Sequence, residues 1–104
     1  MRTMSDVNNY AIALNEAVGH ELRAARRAAD LTQEDVIAAT GLSKSTINRI
    51  ENGTRDISTR EIALITEVVG AEPQAIMQRA QERAVDLPDG TPAAGTTRSA
   101  PPSK

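Results

Sequence analysis

The sequence predicts an all-α domain of five helices, and three observations carry that prediction. Apolar residues recur in steps of three and four: Val7, Ala11, Leu14, Val18, Leu22, Ala25 and Ala29 mark one long amphipathic helix. Start and stop signals then alternate, with Thr32, Ser43 and Ser58 as N-caps and Gly41, Gly53 and Gly70 as terminators. Aromatics make up only 1% of the residues, so the core must be built from Leu, Ile, Val and Ala, which suits small packed helices. At 104 residues there is room for one such domain.

Met1 to Asp6 has no pattern and is expected to fray. Three destinations are open to the apolar stripe from Val7 to Val18: packing along the last helix, pairing with another protomer, or remaining marginally helical on its own. Gly19 costs a helix about 1 kcal/mol relative to alanine, so a break or kink is expected there. His20 has no second His or Cys at ligand spacing and reads as a surface residue, and Arg23 and Arg27 as a solvated face. Two short helices follow, near 33–40 and 44–52, so closely joined at Gly41 that they cannot lie antiparallel and should cross at a wide angle. In the first of them Gln33, Glu34 and Asp35 fill the opening turn, where acids suit the positive end of the helix dipole.

Asn52-Gly53 is a helix stop, followed by a loop whose Ile57 plugs the core while Arg55 is free to meet a phosphate. Ser58 to Glu61 has the spacing of a capping box; Ile62, Ile65, Val68 and Val69 supply the buried face of the helix it opens. Pro73 suits the first position of a fifth helix, with Ile76, Met77 and Ala80 inward and Val85 and Leu87 the last apolar positions. From Pro88 the chain is Pro, Gly, Ala, Ser and Thr with almost no large apolar residue, and is expected to be a disordered tail in which Arg98 and Lys104 are solvated.

The second short helix separates its residues by chemistry. At roughly 100° per residue, with Lys44 at zero, Asn48, Ser45 and Arg49 fall at about 40°, 100° and 140°, and Ile50 and Ile47 at about 240° and 300°. The apolar pair faces a core; the opposite arc is a cation, an alcohol, an amide and a guanidinium with no acid among them. Such groups donate to phosphate oxygens and to the acceptor-rich edge of guanine, and an asparagine can also pair with adenine. The net charge of −2 argues mildly against nucleic acid, but between Leu42 and Arg60 four cations (Lys44, Arg49, Arg55, Arg60) face two anions (Glu51, Asp56). Overall acidity with a locally basic face predicts weak non-specific binding and dependence on base contacts.

Leu31-Thr-Gln-Glu, Gly41, Ser43-Lys-Ser-Thr-Ile and Arg49-Ile-Glu-Asn-Gly53 together resemble the DNA-binding domain of the Cro/C1-type (XRE) family of phage repressors and bacterial regulators, over about residues 20 to 80. The resemblance implies a five-helix lambda-repressor-like domain, placed at 20–87, which leaves an N-terminal helical extension at 1–19, and the change of composition sets off the tail at 88–104. It implies that Lys44, Ser45 and Arg49 reach base edges with Asn48 beside them, and that Gln33, Ser43, Asn52, Thr54 and Arg55 hold phosphates. It also implies an orienting ion pair between Arg26 and Glu51. One departure is Ile37, where the family has alanine, which should set the two central helices slightly further apart.

The expected function is a sequence-specific transcriptional repressor of the phage-immunity or bacterial-regulator type, with double-stranded operator DNA as partner, repression resting on the resemblance alone. A monomer or weak homodimer is expected in free solution, with dimerisation on DNA open. A protein-interaction module of the antitoxin kind is the alternative, favoured by the stripe from Val7 to Val18. One His, no Cys, no glycine-rich phosphate loop and no carboxylate-histidine spacing leave no candidate catalytic group, cofactor or metal site. The lack of Cys, of a signal-peptide pattern and of an apolar run approaching ~20 residues leads to the expectation of a cytoplasmic protein that avoids membranes.

Overall fold

The cores of the five helices lie where the apolar spacing puts them. In the computed structural model, which describes residues 2–85, α1 spans Met4–Ala28, α2 Gln33–Thr40, α3 Lys44–Asn52, α4 Thr59–Val69 and α5 Pro73–Val85. The expectations for Leu87 and for the tail from Pro88 lie outside the described residues. No strand occurs among the described residues, and none of their helices is long and apolar enough to cross a membrane.

Each short helix is closed by its own sequence. Thr32 and Ser58 accept from the backbone N–H of Asp35 and Glu61, whose carboxylates bond back to the cap N–H, giving two capping boxes. α2 ends at Gly41 in left-handed backbone, φ 79°, a conformation in which a Cβ is strained. The hydroxyl of Thr40 accepts from the N–H of Leu42 at 3.2 Å, which helps close the turn before α3. Ile37 is half-buried against the core.

Leu22 of α1, Val36 of α2, Ile47 and Ile50 of α3, Ile65 and Val69 of α4, and Ile76 of α5 meet in a single aliphatic core. Burying each such side chain contributes about 1.5–3 kcal/mol. α1 lies against both α3 and α5, and α2 contacts α3 and α4. The expected face of α4 needs one addition: Thr66 is buried, its hydroxyl satisfied by donation to the carbonyl of Ile62 at 2.7 Å.

Two features of α1 depart from expectation. The pattern expected to be missing before Val7 is present from Thr3: Thr3 and Asp6 form a capping box that starts the helix at Met4. Gly19 does not break it. α1 is continuous through residue 19, with Ala17, Val18 and Gly19 all buried. A Cβ at Gly19 would collide with the carbonyl oxygen of Ile50 and lie 3.3 Å from that of Glu51, so the glycine is the place where the α1 and α3 backbones touch.

The stripe from Val7 to Val18 divides in two. Leu14 and Val18 line a cleft with Ile57, Ile62 and Met77, whereas Val7 is 48% exposed; outside the stripe, Met4 is 85% and Ile12 52% exposed. Glu21, buried, accepts from Arg79 and Arg83 at 3.1 Å each, fastening α1 to α5. With Leu14 beside Met77 and Glu21 beside Arg79, the two helices run in the same sense, and the start of α1 has no counterpart in α5.

Two predictions follow from these contacts. Gly19→Ala gains about 1 kcal/mol of helix propensity but forces backbone apart, so it should destabilise the protein by about 1–3 kcal/mol, read as a lowered Tm. Asp6 and Asp35 are held below their ordinary value of 3.8 by backbone and side-chain hydrogen bonds of their caps. Glu61, which burial pushes up, is brought net below its 4.5 by Arg55 and Ser58. Groups so depressed stabilise the fold above their unfolded values and lose that contribution as pH falls through the folded ones. Their contribution to the Tm should be level above about pH 5 and fall below about pH 4 in an acid titration followed by circular dichroism.

Candidate nucleic-acid interface

α3 has nine residues, too few to hold a helix in isolation, so its form depends on caps and packing. Ser43 caps it, its hydroxyl accepting from the N–H of Thr46 at 3.0 Å and donating to the Thr46 hydroxyl at 2.9 Å. Ile47 and Ile50 are buried, and Lys44, Ser45, Asn48 and Arg49 are all exposed on the other side. Lys44 Nζ lies 3.6 Å from Glu34, with both side chains 68% exposed. An ion pair so open contributes little and does not hold the lysine in place.

Beneath this arc is a polar cluster. Arg26 Nε and Nη2 donate to Glu51 Oε2 and Oε1 at 2.7 and 3.1 Å, with side chains only 10% and 6% exposed. The hydrogen bond that the guanidinium donates to Glu51 is the main cause raising the arginine's pKa, against desolvation. Arg26 Nη1 also donates to the carbonyl of Leu31 at 2.8 Å, so one guanidinium joins α1, the loop before α2, and α3. Gln33 completes the cluster: its Nε2 donates to Glu51 Oε1 at 3.1 Å and to Asn48 Oδ1 at 3.2 Å.

The residues expected on phosphates divide by how they are engaged. Asn52 and Thr54 are exposed at the end of α3, Thr54 donating its backbone N–H to the carbonyl of Arg49 at 3.0 Å. Ser43 is exposed at the other end. Arg55 is not free as expected: its Nη1 donates to Glu61 Oε1 at 2.8 Å, because the carboxylate that boxes the start of α4 also faces the loop. Gln33 is half-buried, its amide nitrogen donating inward to Glu51 and sideways to the exposed Asn48. His20, Arg23 and Arg27 are exposed.

Sequence reasoning missed the Gln33 link, the Asn15 side chain that donates to the carbonyl of Arg55 at 2.7 Å, and the buried Glu21. Their partners lie 15 to 62 residues away, and no local spacing announces them.

A short capped helix displayed outward and braced from behind by its predecessor across a glycine turn defines a helix-turn-helix domain. The chain belongs to that family: residues 17–78 match the family profile described as a helix-turn-helix domain. Among solved structures it is similar to the clp gene regulator ClgR from C. glutamicum, with 25% identity and a TM-score of 0.63, covering 66% of this chain and 90% of that one. It is also similar to the restriction-modification controller protein C.AhdI from Aeromonas hydrophila, with 30% identity and a TM-score of 0.56, covering 59% of this chain and 92% of that one. No curated protein matches.

Removing one member of the buried pair leaves the other charge without a partner. Arg26→Met should therefore destabilise the fold by about 3–5 kcal/mol in urea denaturation, and the double change Arg26→Met with Glu51→Leu by clearly less.

Proposed function

We propose that this chain is a sequence-specific, double-stranded DNA-binding transcription regulator of the Cro/C1 type, a repressor of the phage-immunity or bacterial-regulator kind. The observation that carries the reading is the outward arc of Lys44, Ser45, Asn48 and Arg49: four donors, no acid, on a helix whose inner side is held by a buried ion pair. The two solved relatives, a gene regulator and a controller protein, support regulation.

In this reading α3 enters the major groove of an operator. Lys44, Ser45 and Arg49 read base edges with Asn48 between them, and Ser43, Asn52, Thr54 and Arg55 hold phosphates on either side. Arg55 meets a phosphate with the guanidinium nitrogens that Glu61 leaves unused. Gln33 acts at the same interface by bracing Asn48. Repression follows by occlusion, the bound domain covering sequence that polymerase needs. The free protein is a monomer or weak dimer in this reading; a symmetric footprint on the operator would show two protomers and an asymmetric one a single protomer.

A protein-interaction module is the second reading, favoured by the exposure of Met4, Val7 and Ile12 at the start of α1. Co-purification of a stoichiometric protein partner, lost when these three residues are made polar, would promote it.

The DNA reading is tested on a site selected from a random duplex pool. Arg49→Ala should weaken the selected site roughly five- to hundred-fold while changing affinity for random DNA little. Arg55→Ala should weaken both alike and reduce the salt slope by about 1. Equal loss on both DNAs in the Arg49 variant would remove that residue from base reading.

A further inference from the structure

The start of α1 carries an apolar ridge and, beside it, a groove of matching kind. Met4 lies one turn before Val7, and at roughly 100° per residue Met4, Val7, Ala11 and Leu14 fall within about 80° of one another. The outer part of that ridge is uncovered, Met4 and Val7 being 85% and 48% exposed. Its inner part walls a cleft of about 280 Å³, which Ala11 and Leu14 line with Ile57, Ile62 and Met77. Ile62 and Met77 also line a second cleft, of about 630 Å³, that continues to Pro73, so the two form one open groove from α1 across α4 to α5. Nine consecutive residues, Val7 to Asn15, carry no charge, in a chain that is 25% charged. Depletion of charge around exposed apolar side chains marks a surface that pairs with protein.

We infer that the start of α1 is a homodimer interface, in which the ridge of each copy lies antiparallel in the groove of the other. A second copy is the occupant because ridge and groove adjoin on the same helix, so one two-fold axis fills both grooves at once. An axis beside Val7 sets the two valines against each other and brings Met4 of one copy opposite Ala11 of the other. Arg2 then comes level with Ala13, within a turn of Asn15, whose side chain holds the loop at Arg55. The next residue, Asp56, lines the cleft, is exposed, and has no ion-pair partner among the described residues. The pairing therefore places opposite charges, Arg2 and Asp56, at both rims of an apolar centre. About a dozen residues a side is short of the roughly 20–30 of a standard interface, so the dimer is weak in free solution. What covers the start of α1 does not depend on what α3 binds.

Sedimentation equilibrium of the full-length protein tests this, with the helix content of each variant checked by circular dichroism. The wild type should rise with concentration from the mass of one chain towards that of two. Val7→Asp sets two carboxylates together at the axis and should raise the dissociation constant about ten-fold or more. Asp56→Arg should weaken association, and adding Arg2→Asp should restore it. The chain has no cysteine, so Val7→Cys offers a single thiol per copy: an oxidant should link it into covalent dimers, whereas Ile12→Cys, about 120° round the helix, should stay unlinked. A wild type that keeps the mass of one chain up to about 1 mM, or a folded Val7→Asp that associates as the wild type does, would overturn the inference and leave the regulator reading standing. So would linking of Ile12→Cys as readily as Val7→Cys, or failure of the charge exchange to restore association. A protein that dimerises in this way but selects no DNA sequence would overturn the regulator reading alone.

Discussion

The carboxylate of Glu51 is where the interior of this domain meets its outer face. It sits at the end of α3, is almost wholly out of water, and is matched by the fork of Arg26 from α1. Taking two charges out of water is costly, and such a pair recovers the cost only when its remaining donors and acceptors are satisfied. Here they are: Leu31 takes a third guanidinium bond, and Gln33 supplies a further donor to the carboxylate. The return is in geometry more than in stability. α1, the entry to α2, α2 itself and α3 are tied at one point, and α3 is left with one orientation.

That constraint explains how so short a helix presents a defined face. Ile47 and Ile50 hold α3 to the aliphatic core, a contact without direction that would tolerate some rotation about the helix axis. The arginine-carboxylate fork has direction, and Gly19 brings the α1 backbone against the last turn of α3 from the same side. Burial supplies the adhesion, and the polar fork and the backbone contact supply the angle. The exposed arc of Lys44, Ser45, Asn48 and Arg49 is therefore as well placed as the core beneath it, although the four make few contacts of their own.

Much of this was legible in the residues. The bounds of α2 and α3 follow from Thr32, Gly41, Ser43 and Gly53, because caps and left-handed stops act on their immediate neighbours. The exposed arc followed from helical periodicity, which needs only Ile47 and Ile50 to say which side is inward. What could not be read was whatever depends on two segments meeting. Gly19 looked like a weak point because its propensity cost is local, whereas its purpose lies in a carbonyl 31 residues later. Arg55 looked free because Glu61 was already assigned to its own helix cap, and nothing in a capping-box spacing says that its carboxylate has room for a second donor. The stripe on α1 read as one surface; only the packing shows that Val18 belongs to the core and Leu14 lies against it while Val7 does not.

The contact at Gly19 differs in kind from the others that hold α1. Leu22 meets side chains, and a change in its bulk can be answered by a change in theirs. What faces Gly19 is the main-chain oxygen of Ile50, an atom that all twenty amino acids carry in the same place. No replacement at residue 50 can move it aside, so a lineage that lost this glycine would have no compensating substitution open to it there and would have to shift a whole helix. Drift elsewhere in the core can proceed by paired exchange; at this crossing the route is closed.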